Sequence, residues 1–316
     1  MAESFLDGDE EDGVELDADQ KVSLASWFLL NAPPEEIQQV AEDVQKVLSD
    51  SVLFDQACQE AFPKYNMEQM ISLELPNGTG QVIVSRFAEL DESRYLDPRT
   101  SQVAIVDHVK QICKSVRAAS DDELPSVYVE EYRSSVDAEL LKYVEDAYPR
   151  GSCSVYCTRG KDFQEGDGNI QLTVVISNSS FSPKNYRGGR WRSVWKIDIY
   201  PANDTVEMRG KINVDAHYFE EGNVQLNTEF ECTDSTIFQD PKETGVSIVA
   251  AIRHHESEYL SSLDDKYANL SDTTFKDLRR KLPVTRTQFA WDKALQLSLN
   301  REAARQMSAS RRTTSR

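Results

Sequence analysis

The feature that most constrains the fold is a run of five strand-length segments followed by one long helical pattern. Ser152–Thr158, Ile170–Ser177, Val194–Tyr200, Thr205–Val214 and Val224–Glu231 are rich in β-branched and apolar residues. Their links carry Gly, Asn, Asp and Pro, as hairpin loops do. No strand–helix–strand alternation is present, so an antiparallel sheet is expected rather than a parallel α/β one. From Lys242 the period changes. Ile248, Val249, Ile252, Tyr259, Leu260, Leu263, Tyr267 and Leu270 fit a single amphipathic helix of roughly 28 residues, about 40 Å long at 1.5 Å per residue.

The segments before this block are helical, then mixed. Residues 1–18 are acidic and are expected to be disordered. Asp19 is placed to cap a helix through Val22, Leu24, Ala25, Phe28 and Leu29. Ala32-Pro33-Pro34-Glu35-Glu36 closes it and opens the next, because proline is tolerated in a first helical turn. Ile37, Val40, Val44, Val47 and Leu48 share one helical face, and Phe54, Ala57, Cys58, Ala61 and Phe62 mark a third. Three short helices with tight links predict an antiparallel bundle over 19–65. A small β region over 66–115 follows, with strands at Gln81–Phe87 and Gln102–His108. A connecting helix lies within 116–150, carrying Tyr132, Val136, Leu140, Tyr143 and Val144. The sheet then occupies 151–235 and the long helix 236–271. Ser271-Asp272-Thr273-Thr274 is rich in capping residues and predicts a second helix through Leu278 and Leu282. Past Pro283, a last amphipathic stripe carries Trp291, Ala294, Leu295 and Leu299.

Charge is distributed unevenly. The 316 residues carry a net charge of -19. Residues 1–20 hold nine acids and no base, whereas residues 276–316 hold eleven Lys/Arg against three Asp/Glu. A basic arm on an acidic body points either to a separate acidic partner for the arm or to a solvated, disordered tail, and charge alone does not choose between them. No apolar run approaches the ~18 residues of a membrane span. Met1-Ala2-Glu3-Ser4 does not open a signal peptide, and five cysteines without one predict reduced thiols in the cytoplasm.

Motifs of chemistry are missing from the sequence. It has no phosphate-binding glycine loop, GxSxG or HExxH, so no catalytic residues are assigned and no cofactor is expected. Cys153 and Cys157 fall on one strand face, but a metal site needs two further ligands, and buried structural cysteines are the simpler reading.

Two segments are dense in basic and aromatic residues. Phe181–Trp195, with Arg190-Trp191-Arg192 at its centre, interleaves the two types as a single-stranded nucleic-acid platform does. The alternative is a hairpin whose tryptophans pack on the core while its arginines meet acids. The strong negative charge of the chain favours that alternative, since it opposes polyanion binding. The second segment is Phe275-Lys276-Asp277-Leu278-Arg279-Arg280-Lys281-Leu282-Pro283-Val284-Thr285-Arg286-Thr287. Lys276 and Arg280 share a helical face there, and Leu278 and Leu282 share another.

These segments resemble the F-actin capping protein alpha-subunit family. Its stretch Val-His-aromatic-aromatic-Glu-Asp-Gly-Asn-Val corresponds to Ala216-His217-Tyr218-Phe219-Glu220-Glu221-Gly222-Asn223-Val224, with departures at Ala216 and Glu221. Its stretch Phe-Lys-x-Leu-Arg-Arg-x-Leu-Pro-Val-Thr-Arg is matched in full from Phe275 to Arg286. Ala32-Pro33-Pro34, Tyr65-Asn66-Met67, Ser93–Arg99 and Gly189–Ser193 are similar to further family segments in the expected order. The resemblance spans about residues 20–300.

The resemblance implies an α+β fold. An N-terminal antiparallel helical stalk and a small β region precede a central antiparallel sheet shared with a beta subunit. A long C-terminal helix lies on that sheet, and an amphipathic tentacle ends the chain. It further implies an obligate heterodimer in the cytoplasm and actin cytoskeleton. That heterodimer binds filament barbed ends independently of Ca2+, blocks subunit addition and loss, and does not sever. Residues 272–287 become an actin-contacting helix and turn through Lys276, Arg279, Arg280 and Arg286. Residues 288–316 become the tentacle and basic tail, with Trp291, Leu295 and Leu299 on the apolar stripe. Phosphoinositides would share Lys276, Arg280 and Arg286. Two alternatives stand beside this: capping of an actin-related filament in a motor-adaptor complex, and a nucleic-acid-binding module.

Overall fold

A computed structural model describes residues 16–157, 168–219 and 224–272. The chain divides into two compact units, residues 1–257 and 258–316. The architecture that follows is that of the first.

Three helices open it: α1 (Ala18–Leu30), α2 (Ile37–Leu48) and α3 (Ser51–Gln69). Asp17, not Asp19, caps α1. Its carboxylate accepts from the Gln20 amide at 2.8 Å, and the Gln20 side chain accepts from the Asp17 amide at 3.2 Å. This reciprocal box decides the start, and Asp19 falls in the first turn, where its charge suits the helix dipole. Asp50 caps α3 through the amides of Val52 and Leu53. The helices bury Val22, Leu29, Ile37, Ala57, Ala61 and Phe62 between them.

The small β region holds more strands than the sequence pattern predicts. β1 (Ser72–Glu74) pairs with β2 (Gln81–Ile83). β3 (Glu89–Asp91), β4 (Arg94–Asp97), β5 (Gln102–Asp107) and β6 (Ile112–Ala118) form a four-stranded antiparallel sheet in chain order. His108, just past β5, lies buried within hydrogen-bonding distance of the Asn66 amide, the Tyr95 hydroxyl and the Glu92 carbonyl. Burial holds its imidazole below the usual histidine range. It thereby joins the end of α3 to the small sheet.

Helix α4 (Val127–Ala147) leads into the main sheet: β7 (Ser152–Cys157), β8 (Ile170–Ser182), β9 (Arg187–Tyr200), β10 (Thr205–Tyr218) and β11 (Val224–Ile237). The order is β11-β10-β9-β8-β7, every pair antiparallel, as expected. Arg99 braces the junction. Its guanidinium makes two 2.8 Å bonds to the Asp137 carboxylate of α4 and a third, at 3.1 Å, to the Cys153 carbonyl of β7.

Side chains alternate across the sheet, so its two faces differ. On one face, Trp191, Ser193, Trp195, Ile197 and Ile199 of β9 are buried with Met208 and Ile212 of β10. On the other, β9 and β10 present Arg190, Arg192, Lys196, Asp198, Arg209 and Lys211. Over β7 and β8 that second face packs on the small β region through Tyr156 and Val175.

Helix α5 (Pro241–Asp272) has 32 residues and starts at an Asp240 cap. It is longer than the sequence pattern predicts. Ser271 and Asp272 fall inside it rather than ahead of a new helix, and Thr273 onward lies outside the described residues. Gly245 lets α5 pass α4 closely, since a Cβ there would stand 2.9 Å from the Ser135 hydroxyl and 3.1 Å from its carbonyl group.

A fully buried carboxyl fixes α5 on the apolar face of the sheet. Glu256 accepts from the hydroxyls of Tyr143 (2.8 Å) and Tyr148 (2.7 Å) on one oxygen. On the other it accepts from the Ser193 hydroxyl and from the Trp195 indole N–H. Burial raises this carboxyl above the ordinary glutamate range, although the four donors pull the other way. The Trp195 ring lies flat over Gly210, where any Cβ would come within 2.5 Å of it.

Glu256→Ala leaves four buried donors without an acceptor, and the expected cost is roughly 2–4 kcal/mol. Glu256→Gln keeps the volume and removes the charge. A folded-state pKa above 4.5 means that the folded protein binds the proton more tightly than the unfolded chain does. Stability therefore falls as pH rises from 4.5 through the folded value. Thermal melts between pH 4.5 and 8 are expected to show a flatter pH dependence for Glu256→Gln than for wild type.

Candidate partner-binding surface

The basic and apolar residues that the sequence singles out, Lys276, Arg279, Arg280, Arg286, Trp291, Leu295 and Leu299, all lie outside the described residues. Within the described residues, the arginine–tryptophan hairpin is β8–β9, and it resolves as the packed alternative. Trp195 is fully buried and Trp191 is 6 % exposed, so neither offers a face to a base. Arg190 donates to the Gln69 carbonyl and the Glu35 carboxylate. Arg192 donates to the Glu68 carbonyl at 2.6 Å and to the Asp215 carboxylate. Burial disfavours both charges of the second pair, pushing the Asp215 carboxyl up and the Arg192 guanidinium down, and their contact offsets this.

The same region explains why several of the singled-out segments share residue types. His217 of β10 reaches the Glu36 carboxylate at 2.6 Å, and Tyr65 donates to the Pro33 carbonyl at 2.9 Å. Ala32–Glu36, the end of α3 and the β9–β10 pair are thus one polar junction. Helices and sheet meet there through charged side chains rather than through apolar packing.

The surface most prepared for a partner is the far edge of the sheet. β11 pairs with β10 along fourteen residues, from Val224–Tyr218 to Ile237–Thr205. Among the described residues it pairs with nothing on its other side. None of its described side chains is buried. Strands of five or six residues are typical, and an edge of fourteen with no second strand beside it among the described residues is a template for another strand. Val47 (86 % exposed) and Val52 (73 %) lie on α2 and α3, and Phe28 (42 %) on α1, so the helices too leave apolar surface open.

Sequence reasoning did not find Glu256 or the Arg99–Asp137 pair. Both are spread over distant segments, and acids are too numerous for any one to stand out. Among the described residues no cluster of three or more His, Cys, Asp or Glu side chains could hold a metal, and no helix is long and apolar enough to cross a membrane.

Comparison with known proteins bears on the whole chain. The sequence matches the F-actin capping protein alpha-subunit family over residues 25–302. The F-actin-capping protein subunit alpha of Arabidopsis thaliana is 52 % identical over 302 residues, covering 95 % of this chain and 98 % of its own. That of Dictyostelium discoideum is 37 % identical over 281 residues, covering 89 % and 96 %. In fold, the chain is similar to the homodimeric actin capping protein alpha subunit from Plasmodium berghei. The TM-score is 0.69 at 23 % identity, over 84 % of this chain and 98 % of that one. The chain belongs to the F-actin capping protein alpha-subunit family, whose members are structural actin-binding proteins and not enzymes.

Proposed function

We propose that this chain is one half of a heterodimer with a capping protein beta subunit, and that the heterodimer blocks the barbed ends of actin filaments. Besides family membership, the observation that supports the reading is the fourteen-residue edge of β11, which pairs with no second strand among the described residues. A strand from the partner would satisfy its outward N–H and C=O groups and extend one continuous sheet. The exposed valines of α2 and α3 and Phe28 of α1 would be covered in the same assembly. Capping needs no Ca2+ and does not sever.

Actin contact is assigned to the segment after α5. Lys276, Arg280 and Arg286 supply the cations, with Arg279 beside them. Trp291, Leu295 and Leu299 supply an apolar stripe for a groove on actin. Charge-assisted hydrogen bonds are worth about 1.5–3 kcal/mol each, so three cations carry several orders of magnitude in affinity. Phosphoinositide headgroups would use Lys276, Arg280 and Arg286 and so compete with actin.

Elongation of pyrene-actin from filament seeds tests the reading, with the chain co-expressed with a beta subunit. Substoichiometric arrest of barbed-end growth is expected, unchanged by a calcium chelator and relieved by phosphatidylinositol bisphosphate. Lys276→Glu with Arg280→Glu is expected to abolish arrest while the heterodimer stays intact on gel filtration. Full arrest by that variant would remove these residues from the contact.

Truncation after Thr287 is expected to raise the dissociation rate more than it lowers the association rate, because electrostatic steering stays with the retained cations. A truncated heterodimer that leaves ends as slowly as wild type would contradict the role given to the apolar stripe.

Hydrogen exchange reads the β11 edge directly. In a free edge strand alternate amides point to water and exchange fast. In the heterodimer, slow exchange is expected at consecutive amides of residues 225–237. Persistent alternation would place the partner elsewhere.

A further inference from the structure

The charged face of the main sheet is not flat. Between the end of α3 and strands β9–β11 it forms a hollow of about 1040 Å³. Cations line it in excess. Arg192, Arg209 and Lys211 have carboxylate partners in Asp215, Asp198 and the Glu229–Glu231 pair. Lys64, Arg86 and Lys196 are exposed and have no carboxylate partner among the described residues. Arg86 instead lies over the Phe87 ring, 4.8 Å from its centroid. Arg86, Lys196 and Arg209 also line the adjoining cavity of about 400 Å³. A basic hollow of this kind is out of character for a chain of net charge -19. Three neighbouring cations with no carboxylate partner among the described residues favour an anionic occupant.

The chain carries one within reach. Residues 1–15 hold seven carboxylates, Glu3, Asp7, Asp9, Glu10, Glu11, Asp12 and Glu15, and no base. The segment precedes α1 in the chain. Asp19, in the first turn of α1, lines a groove with Lys64, and Lys64 also lines the hollow. Fifteen residues span up to about 50 Å when extended, which is ample to cross the hollow. A tethered segment meets its site at an effective concentration in the millimolar range, so modest contacts suffice.

We propose that the acidic segment 1–15 docks into this hollow, pairing its carboxylates with Lys64, Arg86 and Lys196. The segment then serves as an internal counter-ion. It covers the basic face of the sheet against other polyanions, and it does so whether or not the chain caps filaments.

Zero-length carbodiimide cross-linking of the full chain with its partner subunit, followed by peptide mass spectrometry, tests this. Amide bonds are expected between Lys64 or Lys196 and the acids of residues 3–15. These links should fall by more than fivefold in 0.5 M salt, where the Debye length is only a few ångströms. Deleting residues 1–15 should raise the acetylation rate of Lys64 and Lys196 at least threefold, with the heterodimer still eluting as one. Both lysines are on the surface, so Lys64→Glu with Lys196→Glu should fold and should abolish the links to the segment. Links from the two lysines only to other carboxylates, of this chain or of the partner, would overturn the proposal. No links at all, or lysine reactivity unchanged by the deletion, would overturn it equally.

Discussion

The structure depends on the alternation of side chains along β9. Odd-numbered residues from Trp191 to Ile199 turn to an apolar face, and even-numbered residues from Arg190 to Asp198 turn to a charged one. Neighbouring strands pair in register on both sides, so the whole sheet inherits the division. One face is sealed by helices and fixed by Glu256. The other meets the N-terminal helices through ion pairs and carbonyl contacts. A slip of one residue in β9 would exchange the two sets and place Arg192 under α5. The fold therefore tolerates little ambiguity in register, and the fourteen-residue pairings of β9, β10 and β11 supply it.

Much of this was legible in the sequence. All five strands of the main sheet were marked by β-branched residues and turn chemistry. Their lengths were not. β9 begins at Arg187, seven residues before the apolar pattern does, because Gly188 and Gly189 have poor strand propensity and Arg187, Arg190 and Arg192 break the apolar pattern. Pairing on both sides overrides that propensity. The short strands β1, β3 and β4 have only three or four residues, too few for a period to show. The start of α1 hinged on two aspartates two residues apart, and only the glutamine three positions after Asp17 separates them.

Glu256 is the instructive omission. The apolar stripe of the long helix runs Ile248, Ile252 and then Tyr259, and the acid occupies the position between them that the helical period assigns to the same face. An acid on an apolar stripe is a sequence signal of a buried polar knot. It names no partners, which come from α4 and its C-cap, more than 100 positions away, and from β9, more than 60 away. The family resemblance rested on another kind of signal. Several of its segments, among them Ala32–Pro34, Tyr65–Met67, Ser93–Arg99 and Gly189–Ser193, converge on the polar contacts that join helices, small β region and main sheet. Composition and periodicity are blind to such contacts, because each needs two distant partners.

The Glu256 knot has a mechanical meaning as well. Its four donors come from α4, its C-cap Tyr148 and β9, and converge on one carboxyl group. Sliding the helix along its own axis would strain all four together, and one full turn of about 5.4 Å would strand the carboxyl among apolar side chains. The helix is thus barred from ratcheting by one residue as well as by its packing. Axial slip of α5 is resisted at that carboxyl together with the buried Ile248 and Ile252 and the close pass of Gly245 on Ser135, so the register of the helix on the sheet is set by chemistry as well as by packing.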